Sequence, residues 1–477
     1  MIADVVVVGT GAGGATVARA LAAQGLDVLM LEEGPDLRAR PTEPTARDAL
    51  LGRFRNFGAQ FAGGRTRIPI IQGRLVGGST AINSAIFWRL PESIYAEWIA
   101  ADPALEQQLP YRAISDASDE IERDLSVRAV AAEVMGNNNR LLQRGAEALG
   151  LSGNVIRRAE SGCKGSGRCS LGCPSRRRQG MEVTYVPQAI ALGARLLPDA
   201  RVRKVRWKGR IAIGVEVERS GERTLIHARK GVVLCAGAVH TPWLMLRSGL
   251  RGLTGERFTA HPGFSVAGMF EAPVGQLAGA TQGYEVTGLR AHGLKFEALG
   301  LPPGLTTARL PGAGAAFKQL SDRLEHLASW GCLVRPEGHG RVSRSVFGGP
   351  QVTLPISDAD CARMLIGLQK LVELFFAAGA TAVLPGVAGV PHVIDRPLSL
   401  SRLEPSQLSL VATHLFGGAI VGTDSTRSVV SPQFAVHGVD RLFVADASVL
   451  PGTLGVNPQG TIMAVARVAA DRIAARL

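Results

Sequence analysis

The sequence predicts an α/β chain, α+β overall, in which a doubly wound dinucleotide-binding domain carries an inserted substrate domain with a mixed or antiparallel sheet. Three observations predict it. A short apolar run, Val5–Val8, opens into Gly9-Thr10-Gly11-Ala12-Gly13-Gly14 and then into a helical pattern of Ala15, Val17, Ala18, Leu21 and Ala22. At 477 residues the chain exceeds one ordinary core, so two intertwined domains are expected. Nucleotide-binding signals recur near residues 5–34, 73–83, 231–250 and 405–477, with stretches of different texture between them.

The elements follow in chain order. In G-x-G-x-x-G the first glycine, Gly9, makes the tight turn. The second, Gly11, lets backbone approach a pyrophosphate, and the third, Gly14, permits close helix–strand packing. The helix N-terminus then turns its N–H groups, from Ala12 onward, toward phosphate. Val28–Leu31 reads as the second strand and ends in Glu32, eighteen residues past Gly14, where a carboxylate accepts ribose hydroxyls. This strand–turn–helix–strand–acid order is the Rossmann-like pattern. Residues 92–160 read as mainly helical, polar and charged. Residues 265–400 are richer in Gly, Pro and short β-like runs such as Arg341–Ser343 and Gln351–Leu354. Ala362–Ala378 reads as an amphipathic helix ended by Gly379. These textures place the dinucleotide domain at 1–91, 160–264 and 405–477, and the substrate domain at 92–159 and 265–404.

Composition narrows the class. With 46% hydrophobic and 19% charged residues the chain reads as a compact enzyme, not a disordered one. No apolar run reaches the roughly eighteen residues of a membrane span. The nucleotide fold starts at Val5, which leaves no room for a leader peptide and makes the expected location cytoplasmic. The formal net charge is +13, densest at Arg176–Arg178 and Arg201–Lys208, yet aromatics are only 5% and no nucleic-acid motif is present. Nucleic acid is therefore not an expected partner. The basic segments read as a solvated face, with a peripheral membrane or acidic protein partner as the alternative.

Four further segments are family-like. Gly73–Asn83, including Gly78, Ser79 and Asn83, resembles the first signature of the glucose–methanol–choline (GMC) oxidoreductases. Val232–Pro242, continuing to Ser248-Gly249, resembles the second and departs from it at Arg251, where the family usually has glycine. His437–Pro451 and Asn457–Thr461 are similar to the family's C-terminal blocks. The motifs stand in the family's order, nearest to the cholesterol oxidase and long-chain alcohol oxidase branches. The resemblance implies FAD. It would be held non-covalently, since Val76–Ile82 lacks the histidine that carries a covalent link in some members. Carried over by position, Gly9, Gly11, Ala12, Gly14 and Glu32 hold the pyrophosphate and adenosine ribose, and Val202 meets the adenine through its backbone. Gly78, Ser79, Asn83, Ala236, Asp446, Ala447, Pro458 and Gln459 surround the rest of the cofactor.

The resemblance also implies the chemistry: a small-molecule alcohol, lipophilic in these branches, loses a hydroxyl proton and a hydride. Oxygen, a quinone or a protein carrier then takes the electrons. His414, in Thr413–Gly418, matches the family's base, and Asn457, before Pro458, its alkoxide partner. From the residues alone, Asn457 also reads as an N-cap with Pro458 at the first helical position. His261 and His437 match family positions that are mostly structural. A GMC-fold lyase or decarboxylase retaining FAD is the alternative. A second alternative is an electron-transfer subunit with an iron–sulfur cluster on Cys163, Cys169 and Cys173. That cluster is not favoured, because the fuller pattern would have another cysteine near Ser166.

Overall fold

The computed structural model describes residues 1–39 and 45–477. Two sheets organise it. In the first, β1 (Ile2–Val8) lies parallel to β2 (Val28–Leu31), and β2 to β3 (Arg195–Leu197). A meander of β4 (Arg201–Lys208), β5 (Ile211–Arg219) and β6 (Glu222–Leu234) joins on the other side. The last half of β6 is parallel both to β1 and to β7 (Leu442–Val444). β1 from Val5 onward, β2, the last residues of β6 from Gly231, and β7 are buried on both faces, as their continuous Val and Leu content requires, whereas the edge strand β3 is partly exposed.

Three helices matter for the site. Helix α1 (Ala12–Ala23) leaves β1 through Gly9, which has φ +100. A Cβ at Gly9 would lie 2.3 Å from the carbonyl oxygen of Cys235, so only glycine makes this turn. Helix α2 (Gly237–Arg247) leaves β6 in the same manner, and α3 (Gln459–Ala474) closes the chain against α1. Helix α3 begins one residue later than read from sequence: Pro458 occupies the cap position and Asn457 precedes it. The helix read at Ala362–Ala378 runs Asp358–Ala377, started by a capping box from Ser357 and Asp360.

The second sheet has eleven strands and is mostly antiparallel. Its centre is the long strand Glu256–Met269, flanked by Val411–Phe416 and Leu327–Val334. Leu294–Ala298 and Tyr284–Val286 continue it outward. Strands at Gln60–Gly63 and Ile68–Ile70 also join, so this sheet draws on segments from both expected domains. The helical reading of 92–160 holds for four helices, with one short strand before the fourth and two after it. The run Arg176–Arg178 is not simply a solvated face. Arg178 is buried and donates to the carbonyls of Thr80 (2.6 Å) and Ala81 (2.6 Å), so it braces the Gly78–Asn83 turn. Among the described residues, no helix is long and apolar enough to cross a membrane.

Candidate active site

A cavity of about 730 Å³ runs between the two sheets. Gly9, Gly11, Ala12, Glu32 and Val202 line one part. Gly78, Ser79, Asn83, Ala236, Asp446 and Ala447 line its middle, and Pro458, Gln459, Asn457 and His414 line the far end. Of the site residues read from sequence only Gly14 lies outside the lining. A Cβ there would sit 1.9 Å from the Gly9 carbonyl oxygen, so its smallness serves packing.

The lining fits a dinucleotide. A Cβ on Gly11 would meet nothing within 4 Å, leaving open space over the N-terminus of α1. The buried atoms Gln72 Oε1 and His240 Nδ1 face the cavity region without a protein partner. Glu32 accepts from the Thr10 hydroxyl (2.7 Å) and the Gly34 N–H (3.0 Å), which fixes its carboxylate at the end of β2. Burial raises its pKa above the usual carboxylate value. Asp446 is more heavily committed to the fold. Its oxygens accept from Gly237 N–H, the Thr241 hydroxyl and both donors of Ser448, which ties α2 to the turn after β7. Asn83 donates to Gln459 (2.6 Å), joining the Gly78–Asn83 turn to the start of α3.

At the far end the register of the second sheet sets His261 directly opposite His414. Their Nδ1 atoms are 3.3 Å apart, and His414 Nε2 is 3.4 Å from Asn457 Nδ2. Asn457 Oδ1 in turn accepts from Lys295 Nζ at 2.6 Å, which fixes the orientation of the amide. At the other end the Gly455 N–H donates to His261 Nε2 (3.0 Å). The row thus has a donor at each end. Each neutral ring or amide passes its polarity on, so somewhere between Lys295 and Gly455 two donors must meet. The longest contacts are the two made by His414. An oxygen anion seated between Asn457 and a neutral His414 carrying its proton on Nε2 would accept from both and remove the conflict.

Lys295 is fully buried, 2.6 Å from Glu285 and 2.5 Å from Glu297. Glu285 and Glu297 are cross-strand partners, a like-charge pair that needs the ammonium between them. Burial opposes the charge on Lys295, but Glu297 and Glu285 outweigh it and raise its pKa above the ordinary value. Burial lowers His414 to about 4, so its imidazole is neutral at pH 7. Sequence reasoning passed over Lys295, Glu285 and Glu297. For Lys295 and Glu297 the one signal is two charges alternating with apolar residues in Leu294–Ala298, and Glu285 stands likewise between Tyr284 and Val286.

The cysteine segment forms a separate small pocket. Cys169 is buried with its sulfur accepting from Arg158 Nη2 at 3.1 Å, while Cys163 accepts from the Gly165 N–H. Burial raises the Cys169 pKa, but Arg158 and Arg178 outweigh it and bring it below the ordinary thiol value. All six cysteines are free, and no group of three or more His, Cys, Asp or Glu among the described residues is arranged to hold a metal ion. The segment therefore does not fit a cluster. Replacing Cys163, Cys169 and Cys173 together by Ser is expected to leave bound flavin and the rate of its reduction by substrate nearly unchanged. Loss of iron and of a broad visible band on substitution would contradict this.

The cavity is thus bordered by the glycine turns of the first sheet and by a row of His261, His414 and Asn457. Residues 3–263 match the N-terminal GMC oxidoreductase profile and residues 336–466 the C-terminal one, so the chain belongs to this family of FAD-dependent oxidoreductases. It is 38% identical to an uncharacterized GMC-type oxidoreductase of Mycobacterium tuberculosis, across 100% of this chain and 76% of that protein. It is 26% identical to a long-chain-alcohol oxidase of Arabidopsis thaliana, across 97% of this chain and 67% of that one. The fold is similar to a formate oxidase variant of Aspergillus oryzae, with TM-score 0.76, 16% identity, and 99% and 98% of the two chains covered.

Proposed function

We propose that the protein oxidises a lipophilic alcohol to an aldehyde or ketone, with His414 and Asn457 holding the reacting hydroxyl. The observation that carries this reading is the convergence of His414 Nε2 and Asn457 Nδ2 at the cavity's end. Bound FAD supplies the acceptor for the carbon-bound hydrogen and its electron pair. The apolar wall favours a lipophilic substrate: Phe264, Leu299, Leu301, Leu305 and Leu333 all face the cavity.

The protein's own steps are proton handling and orientation. His414, neutral above its lowered pKa, takes the hydroxyl proton at Nε2. In this state its Nδ1–H faces His261, and the donor conflict falls on their 3.3 Å contact. After the transfer His414 Nε2–H and Asn457 Nδ2–H both donate to the alkoxide oxygen, which is stabilisation of developing charge by fixed donors. Lys295 keeps the Asn457 amide turned so that Nδ2 faces the substrate side.

In this reading Gly9, Gly11 and Ala12 approach the pyrophosphate, Glu32 the ribose and Val202 the adenine. The start of α3 presents backbone N–H groups from Gln459 onward to the flavin end, Pro458 having none of its own. Glu32→Ala is expected to weaken FAD binding by about 1–3 kcal/mol, read by flavin titration with a melting curve as the check on folding. Unchanged affinity would remove Glu32 from the site. The direct test of the function is anaerobic mixing of the purified flavoprotein with a panel of primary and secondary alcohols of increasing chain length. Bleaching of the oxidised flavin band, faster with longer chains, is expected. A flavin that stays oxidised with every alcohol would overturn the proposal.

A further inference from the structure

One side of the molecule combines exposed apolar side chains with arginines, and it borders the cavity. The strands Gly340–Arg344 and Pro350–Thr353 form a hairpin whose tip carries Val346 and Phe347, 95% and 96% exposed. The tip is anchored: the Gly348 carbonyl accepts the indole N–H of Trp243 at 3.2 Å, and Trp243 lines the cavity. The neighbouring strand Gln60–Gly63 exposes Phe61, and the segment before it exposes Leu51 and Phe57. The same segment supplies Leu50 and Phe54 to the cavity wall, so outer and inner apolar faces are a few residues apart.

Positive charge surrounds this edge. Arg341 and Arg344 stand exposed on the hairpin itself, Arg341 within 3.1 Å of the Glu256 carboxylate. Arg247 lies over the Trp243 ring, 5.0 Å from its centroid. Burial, and then the fields of Arg203, Arg201, Arg344 and Arg223, hold Arg247 below the usual arginine value, while Arg201 is itself paired with Glu33, Arg203 with Glu218, and Arg223 with Glu216 and Glu218. A phosphate-bearing surface complements the arginines, and hydrocarbon complements the tip. Nucleic acid answers only the first demand, whereas an anionic bilayer answers both.

We propose that the Val346–Phe347 tip and the arginines around it seat the protein on anionic lipid bilayers, the tip among acyl chains and the guanidiniums against headgroup phosphates.

The test is co-sedimentation of the FAD-bound protein with vesicles of phosphatidylcholine alone and of phosphatidylcholine mixed with phosphatidylglycerol. Binding is expected to be at least about tenfold stronger to the mixed vesicles and to weaken as salt screens the arginines. A Val346→Ser/Phe347→Ser variant, and separately Arg341→Ser/Arg344→Ser, should each lose about tenfold of that binding. Both should keep wild-type flavin content, melting temperature and turnover of a water-soluble substrate. Equal binding to both vesicle types, or a tip variant that binds like wild type, would overturn the proposal. Self-association in lipid-free buffer that the tip variant abolishes would overturn it too, assigning the edge to a second copy of the chain. Sedimentation is read without turnover, so vesicle binding stands or falls separately from the alcohol reaction.

Discussion

His414→Ala is expected to slow flavin reduction by alcohol about 10²–10⁴-fold, the usual cost of removing a positioned base, while FAD stays bound. Wild-type reduction should rise with pH through about 4 and then level, because burial holds the His414 imidazole there and only the neutral ring accepts the proton. An unburied imidazole would put the rise near 6.5. The rise should vanish in the variant. Asn457→Ala should cost about 2–4 kcal/mol of transition-state stabilisation, as for an oxyanion donor. The double variant should lose less than the sum, because both groups act on one oxygen. Stopped-flow reduction under anaerobic conditions reads all three. If His414→Ala reduced flavin at the wild-type rate, the base would be wrong, and His261, which lines the same cavity 3.3 Å from His414, would be the next candidate, because His437 is bonded to Ser428 and does not line the cavity.

Why the sequence revealed one half of this site and not the other has a physical basis. Cofactor cradles depend on backbone. Gly9 must be glycine because a Cβ on its left-handed turn would lie 2.3 Å from the Cys235 carbonyl oxygen, and Gly14 because a Cβ would sit 1.9 Å from the Gly9 carbonyl oxygen, and such demands leave a local pattern that can be read along the chain. His414 and Asn457 also sit in recognisable segments. The groups that orient them come from elsewhere by sheet register, which no local pattern encodes. His261 meets His414 because two strands pair at that residue, 153 positions apart. Lys295 reaches Asn457 across 162 positions. Arg178 misled for the same reason. It stands in an arginine run that reads as solvated, yet the fold turns it inward to hold three carbonyls of the Gly78–Asn83 region. Even the strand carrying Lys295 is buried at every position, so its charges follow no inside–outside alternation.

Lys295→Met is the substitution expected to harm stability most. It removes the one ammonium between Glu285 and Glu297, both buried and paired across adjacent strands. Breaking a buried ion pair by deleting one partner costs about 3–5 kcal/mol, because the remaining charge has no compensation. Here two carboxylates are stranded. Relief by protonation of Glu285 is the easiest route, since burial already raises its pKa, whereas Lys295 now holds that of Glu297 down. The variant should therefore melt well below wild type at pH 7 and recover part of the difference in acid. Adding Glu285→Gln and Glu297→Gln removes the stranded charges and should restore most of the melting temperature. It should not restore flavin reduction, because Asn457 Oδ1 still lacks the donor that fixes the amide. In the triple variant the rate should stay about 10²-fold down, the cost of one misdirected oxyanion donor. Recovery of rate together with stability would mean that Lys295 only neutralises the carboxylates, and that Asn457 finds its orientation unaided.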